Sequence, residues 1–146
     1  MEQIRLNGFI QSVLINATQM IYVERTQDAL VLLEKMNEVF RYFTSNEKSV
    51  ALFNELDILE KYLAIQKVQF DNRLTICLEN DSLFKTLFIK KLIVIDLVDS
   101  IFFAALDKSE IPQIIEIRVK INPEKSAAKI IVVSGNSTNI LSFDLN

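Results

Sequence analysis

Apolar positions in the first third of the chain recur with the period of a helix. Leu6, Phe9-Ile10, Val13-Leu14, Ala17 and Met20-Ile21 fall on one face and predict a helix over Gln3–Tyr22. Ala29, Leu32-Leu33, Met36, Val39-Phe40 and Phe43 form a second stripe that begins after Thr26-Gln27-Asp28. Thr26 is the expected cap there, with Asp28 near the positive end of the dipole. The short join at 23–25 predicts an antiparallel hairpin, and the polar residues 44–49 end it. The stretch 52–74 organises the rest of the chain. Leu52, Leu56, Leu59, Leu63 and Phe70 keep near-helical spacing, and Ile58, Tyr62 and Ile65 widen the apolar face. Asp71-Asn72 breaks that helix and Arg73-Leu74 opens a strand.

After Arg73 the period drops to two. Leu74, Ile76 and Leu78 alternate with Thr75, Cys77 and Glu79, as in a half-buried strand. Asn80-Asp81-Ser82 ends it and is expected to cap a helix over 83–106, with Pro112 marking an edge. Ile115, Ile117, Val119 and Ile121 predict a strand, Lys129 to Val133 a central strand, and Leu141, Phe143 and Leu145 a closing one. Turns are expected at 122–126 and 134–137. Two helices followed by helix, strand, helix and three strands make an α+β layout.

Composition narrows the chemistry. The 146 residues suffice for one domain or two small ones, and half of them are hydrophobic. A net charge of -3 offers nothing to nucleic acid or an anionic membrane. A single cysteine, Cys77, excludes an internal disulfide framework and fits a reducing cytoplasm. The sequence has no histidine, which removes histidine-based catalysis, most zinc sites and a phosphohistidine. The most apolar run, 83–106, is broken by Lys85, Lys90, Lys91, Asp96 and Asp99, short of the roughly 18–20 apolar residues of a membrane span. The first residues lack the pattern of a signal peptide, so a cytoplasmic protein is expected.

The letters within 52–74 carry more than their period. Glu55-Leu56, then Tyr62-Leu63, Ile65-Gln66, Phe70 and Arg73-Leu74, resemble the linker of LytS-type sensor histidine kinases, which joins the phosphoacceptor helices to the ATPase domain. Arg41-Tyr42 is similar to the family's Leu-Arg-Tyr segment. The resemblance implies a helical hairpin over 1–46 and, over 47–146, a truncated ATPase-like α/β sandwich of the GHKL type. This layout is similar to that of the sporulation phosphotransferase, which works through a histidine.

The family's catalytic motifs fit poorly. Its phosphoacceptor motif, Asn-Pro-His-Phe-Leu-Phe-Asn, is similar to residues 6–12, but Gly8 stands at the histidine and Asn7 at the proline. The asparagine box, Leu-Val-Glu-Asn-Ala-Ile-Lys-His-Gly, is similar to 97–105. Asp99 stands for the general-base Glu, Ser100 for the magnesium-binding Asn, and Phe103 for the Lys. The adenine-binding Asp-x-Gly-x-Gly has only Ser134-Gly135-Asn136-Ser137 to set against it. About ten residues follow, too few for an ATP lid. Asp99 and Ser100 therefore stand as a vestigial nucleotide site, with no catalytic residue, metal or cofactor expected.

The blander readings are also plain. Asp96 and Asp99, three apart, read as the solvated side of a helix, and Glu55, Asp57, Glu60 and Lys61 as another solvated face. Lys90-Lys91 reads as a solvated helix start, Cys77 as an inert thiol, and Tyr62 and Phe70 as core. The function expected from the resemblance is a non-enzymatic adaptor in a bacterial two-component-type pathway. It would bind a histidine kinase or response regulator, or form a homodimer through Ile10, Val13, Ala17, Leu33, Met36 and Phe40. The alternative is a pseudokinase with residual ATP or ADP binding, acting as a nucleotide-responsive switch. An unrelated α+β enzyme is disfavoured because no nucleophile–base or metal constellation is visible.

Overall fold

The computed structural model describes residues 3–69, 74–79, 87–107, 113–122, 127–134 and 137–144. In chain order the elements are α1 (Gln3–Tyr22), α2 (Thr26–Thr44), β1 (Ser49–Ala51), α3 (Leu52–Gln69), β2 (Leu74–Glu79), β3 (Phe88–Lys90), α4 (Ile93–Asp107), β4 (Gln113–Asn122), β5 (Ala127–Ser134) and β6 (Ser137–Asp144). The fold is α+β. Contacts divide the chain into one unit of residues 1–46 with 58–72 and a second of 47–57 with 73–146. α3 contributes to both.

In the first unit, α1 and α2 pack together across the turn at residues 23–25. Phe9, Val13 and Ala17 on α1, and Ala29, Leu32 and Val39 on α2, are buried, as the two stripes predict. The second half of α3 adds Leu59, Tyr62, Leu63 and Ile65 to the buried set. The Tyr62 ring lies 5.3 Å from that of Phe9 and 6.2 Å from that of Phe43, centroid to centroid. Such ring pairs add to the area they remove from water. Its hydroxyl accepts a 2.8 Å hydrogen bond from the buried Gln66 amide, and Lys61 pairs with Glu38 of α2.

The turn is built without glycine. Arg25 N–H donates to Met20 O at 2.7 Å and Glu24 N–H to Ile21 O at 3.1 Å, the paired bonds of a Schellman ending. That geometry puts Glu24 in the left-handed region, at φ 63°. The cap of α2 differs from expectation. Thr26 is already helical, and Arg25 precedes the helix without making a side-chain cap bond. Arg25 Nε instead donates to Asp28 Oδ2 at 2.8 Å, so Asp28 serves an ion pair as well as the dipole.

In the second unit, β1 and β3 form an antiparallel pair with Val50 opposite Ile89, both buried. The other sheet runs β2-β4-β5-β6. β2 and β4 are parallel, with Ile76 opposite Ile115 and Cys77 opposite Glu116, while β4–β5 and β5–β6 are antiparallel. A parallel pair needs a crossover, and α4 lies in this one. α4 packs on β5, where Ile130 and Val132 are fully buried and Lys129 is exposed.

The expected helix over 83–106 is corrected at its start. Phe88–Lys90 is strand, and helix begins only at Ile93. Ile89 is buried between the exposed Phe88 and Lys90, so the period there is two, set by pairing with β1. Lys90-Lys91 accordingly ends a strand and enters a turn rather than opening a helix. The expected break at 71–73, the cap at 80–82, the edge at Pro112, the turn centres, Phe70 and Leu145 lie outside the described residues.

Because a left-handed conformation costs an L-residue roughly 1–2 kcal/mol and glycine's extra unfolded freedom roughly 0.5–1, Glu24→Gly is expected to stabilise the chain by about 0.5–1 kcal/mol. Chemical denaturation checks this, and a lower midpoint would contradict the left-handed turn.

Candidate functional site

α4 begins without a capping side chain of its own. Asp96 N–H donates to Leu92 O at 2.8 Å, which makes Leu92 the residue before the helix, and leucine has no acceptor to offer. The acceptor comes from α3. Leu92 N–H donates to Glu55 Oε1 at 2.5 Å and Val94 N–H to Glu55 Oε2 at 2.7 Å. Both carboxylate oxygens are thus engaged with main-chain groups that the helix leaves unpaired, at the end where its dipole is positive. Leu92 takes up φ 72°, uncommon for a bulky residue, and so presents its N–H to the carboxylate.

Glu55 is 0 % exposed. Burying a carboxylate costs several kcal/mol. Two charge-assisted hydrogen bonds at about 1.5–3 kcal/mol each, with a dipole contribution of up to about 2, offset that cost. The net gain is small, whereas deleting the carboxylate strands two N–H groups. This overturns the solvated reading of Glu55; Asp57 and Glu60 of that set are exposed. The signal lay in the spacing. Glu55 follows Leu52 by three residues and precedes Leu59 by four, in phase with the apolar stripe.

The suspected nucleotide residues lie further along α4. Asp99 is 2 % exposed, which corrects its reading as a solvated residue, whereas Asp96 is half-buried. Ser100 is exposed, and its hydroxyl donates to Asp96 O at 2.8 Å. Asp99 and Ser100 are therefore adjacent in sequence but opposite in environment. Among the described residues no group of three or more His, Cys, Asp or Glu is placed to hold a metal ion. Among them, too, no helix is long and apolar enough to cross a membrane. Cys77 sits in β2, opposite Glu116.

Gly8 is exposed on α1, and a Cβ built there would meet nothing within 4 Å. The residues expected at an interface divide into two groups. Val13 and Ala17 are buried within the chain. Ile10, Leu33 and Met36 are half-buried and Phe40 is 39 % exposed. Further exposed apolar side chains on the hairpin, none of them assigned to a surface from the sequence, are Leu14, Ile15, Ile21, Val23, Leu30 and Val31, with Tyr22 89 % exposed. Of these, Leu14 and Ile21 belong to the apolar stripe of α1, which a periodic pattern alone reads as core.

Residues 4–74 match the model of the family described as histidine kinase, just under half of the chain. The match takes in α1, α2, β1 and α3 and ends at the first residue of β2. Over that stretch the chain is related to histidine kinases, a relation that points to two-component signalling. No curated protein matches the chain.

Glu55→Ala is expected to cost about 3 kcal/mol, from two buried N–H groups left without an acceptor. Glu60→Ala on the exposed side of the same helix should change stability by less than about 0.5 kcal/mol. Equilibrium unfolding of both variants checks the contrast, and equal effects would contradict the buried role of Glu55.

Proposed function

We propose that this chain is a histidine-kinase-like protein that works without catalysis, as an adaptor or regulator binding protein partners in a two-component-type pathway. The observation that carries the reading is Gly8. It lies within the stretch that matches histidine kinases, and by the motif resemblance it takes the place of the phosphoacceptor histidine of LytS-type kinases. The position is exposed and has room for a side chain, so packing does not demand a glycine there. The sequence holds no histidine elsewhere to take over the phosphoryl group. The setting we infer is the cytoplasm, in keeping with a single cysteine.

We read residues 47–146 as a relative of the GHKL ATPase domain that has lost its nucleotide site. The burial of Asp99 and the exposure of Ser100 support this, because a base and a metal ligand must face one ligand together. The partner surface in this reading is the hairpin, with its exposed Leu14, Tyr22, Leu30 and Val31. A histidine kinase or a response regulator is the class of partner that the family relation suggests. A second copy would use Ile10, Leu33, Met36 and Phe40.

Calorimetric titration with ATP and ADP in the presence of magnesium is expected to give no heat at millimolar nucleotide. Saturable binding abolished by Asp99→Ala would replace the adaptor with a nucleotide-responsive switch. Light scattering at micromolar protein is expected to report a dimer that Phe40→Glu dissociates. A wild-type monomer would remove the second copy from the reading.

A further inference from the structure

Ile130 and Val132 of β5 are buried on the face that α4 covers, and alternation places Lys129, Ile131 and Val133 on the other. β6 alternates in step, with Thr138, Ile140 and Ser142 exposed and Asn139 and Leu141 half-buried. The registers carry this open face across three strands. Lys120 of β4 stands directly opposite Lys129 of β5, which stands opposite Ser142 of β6. In the next row, Ile131 lies between Arg118 and Ile140.

Lys120 and Lys129 are both exposed, and no carboxylate of the described residues pairs with either. Arg118, one row away, is matched by Glu116 at 3.2 Å. Like charges directly opposite each other on a sheet are destabilising, because their Cβ atoms are only about 4.5–5.5 Å apart. The rest of this strand pair follows its pattern, and a local rule broken alone is characteristic of a functional site. Ile140, 56 % exposed, lies beside the two lysines. The face therefore combines two cations with an aliphatic pair.

We propose that the open face of β4, β5 and β6 is a docking surface for an acidic segment of a partner protein. A carboxylate of that segment sits between Lys120 and Lys129 and relieves their repulsion, and an aliphatic side chain covers Ile131 and Ile140. Nucleic acid suits the face less well. The chain's net charge of -3 opposes a long polyanion, and phosphates gain nothing from Ile140. The surface lies beyond residues 4–74 and apart from the hairpin in sequence, so it stands or falls separately from the adaptor reading.

The test is calorimetric titration of the full chain with a short synthetic peptide of glutamates around a leucine pair. Saturable binding is expected, weakened at least about threefold between low and physiological salt. Lys129→Glu is expected to weaken it at least about tenfold and Ile140→Ser at least about threefold. Lys48→Glu makes the same change of net charge on an exposed lysine outside this sheet, and is expected to alter binding less than about twofold. Without peptide, Lys129→Glu is expected to raise the thermal midpoint by about 1–4 °C, since it turns a like pair into an opposite one. A variant that gains stability while losing affinity separates a docking role from a structural one. No saturable binding at millimolar peptide, equal losses in Lys129→Glu and Lys48→Glu, or a midpoint that does not rise would overturn the proposal. Tighter binding of a single-stranded oligonucleotide or of anionic vesicles than of the peptide would overturn the choice of a protein partner.

Discussion

Two main-chain N–H groups at the start of α4 end on the carboxylate of Glu55, and the placement of α4 depends on that convergence. A helix N-terminus buried without acceptors is costly, and so is a buried carboxylate without donors. Each cancels the other's penalty only in one relative placement of the two helices. Hydrophobic contacts such as those of Val94, Ile95 and Val98 hold α4 down, but they tolerate sliding. The bidentate carboxylate does not. It sets where the helix starts, and hence which of its residues reach β5.

The β1–β3 pair brackets the same junction. Leu52 N–H donates to Leu87 O at 2.8 Å and Lys91 N–H to Lys48 O at 3.0 Å, so main-chain bonds clamp the segments that lead into α3 and α4. Three-residue strands add little alone. Here they deliver Glu55 and Leu92 to each other by fixing the chain one residue or one turn away.

The sequence disclosed much of this, and unevenly. α1 and α2 were legible because each buries one stripe, and a single stripe leaves an unmistakable period. β4, β5 and β6 were legible through alternation and β-branched runs. β1 and β3 were not, since three residues are too few to display a period, and Phe88–Lys90 sits in an apolar run that also suits a helix. Glu55 was misread because a glutamate among charged neighbours suggests solvent. Only its phase with Leu52 and Leu59 argued otherwise. Asp99 was misread for the same reason on α4. On the hairpin, Phe40 is exposed, while Val13 and Ala17 turn inward. Which members of a wide apolar face go inward depends on the neighbour, and the neighbour is α3, which no local pattern reveals.

The parallel pairing of β2 with β4 has a consequence for how the sheet assembles. Ser134 and Ser137, three apart in sequence, pair with each other, and β4 with β5 is nearly as local. Leu74 and Gln113, by contrast, are about forty residues apart along the chain. The entropy of closing that loop is lost before any β2–β4 bond repays it, whereas the three C-terminal strands can zip locally. A nascent sheet of β4, β5 and β6 thus offers an open edge until α4 docks and β2 arrives, and the rate of that late step governs how long the edge stays available to other chains.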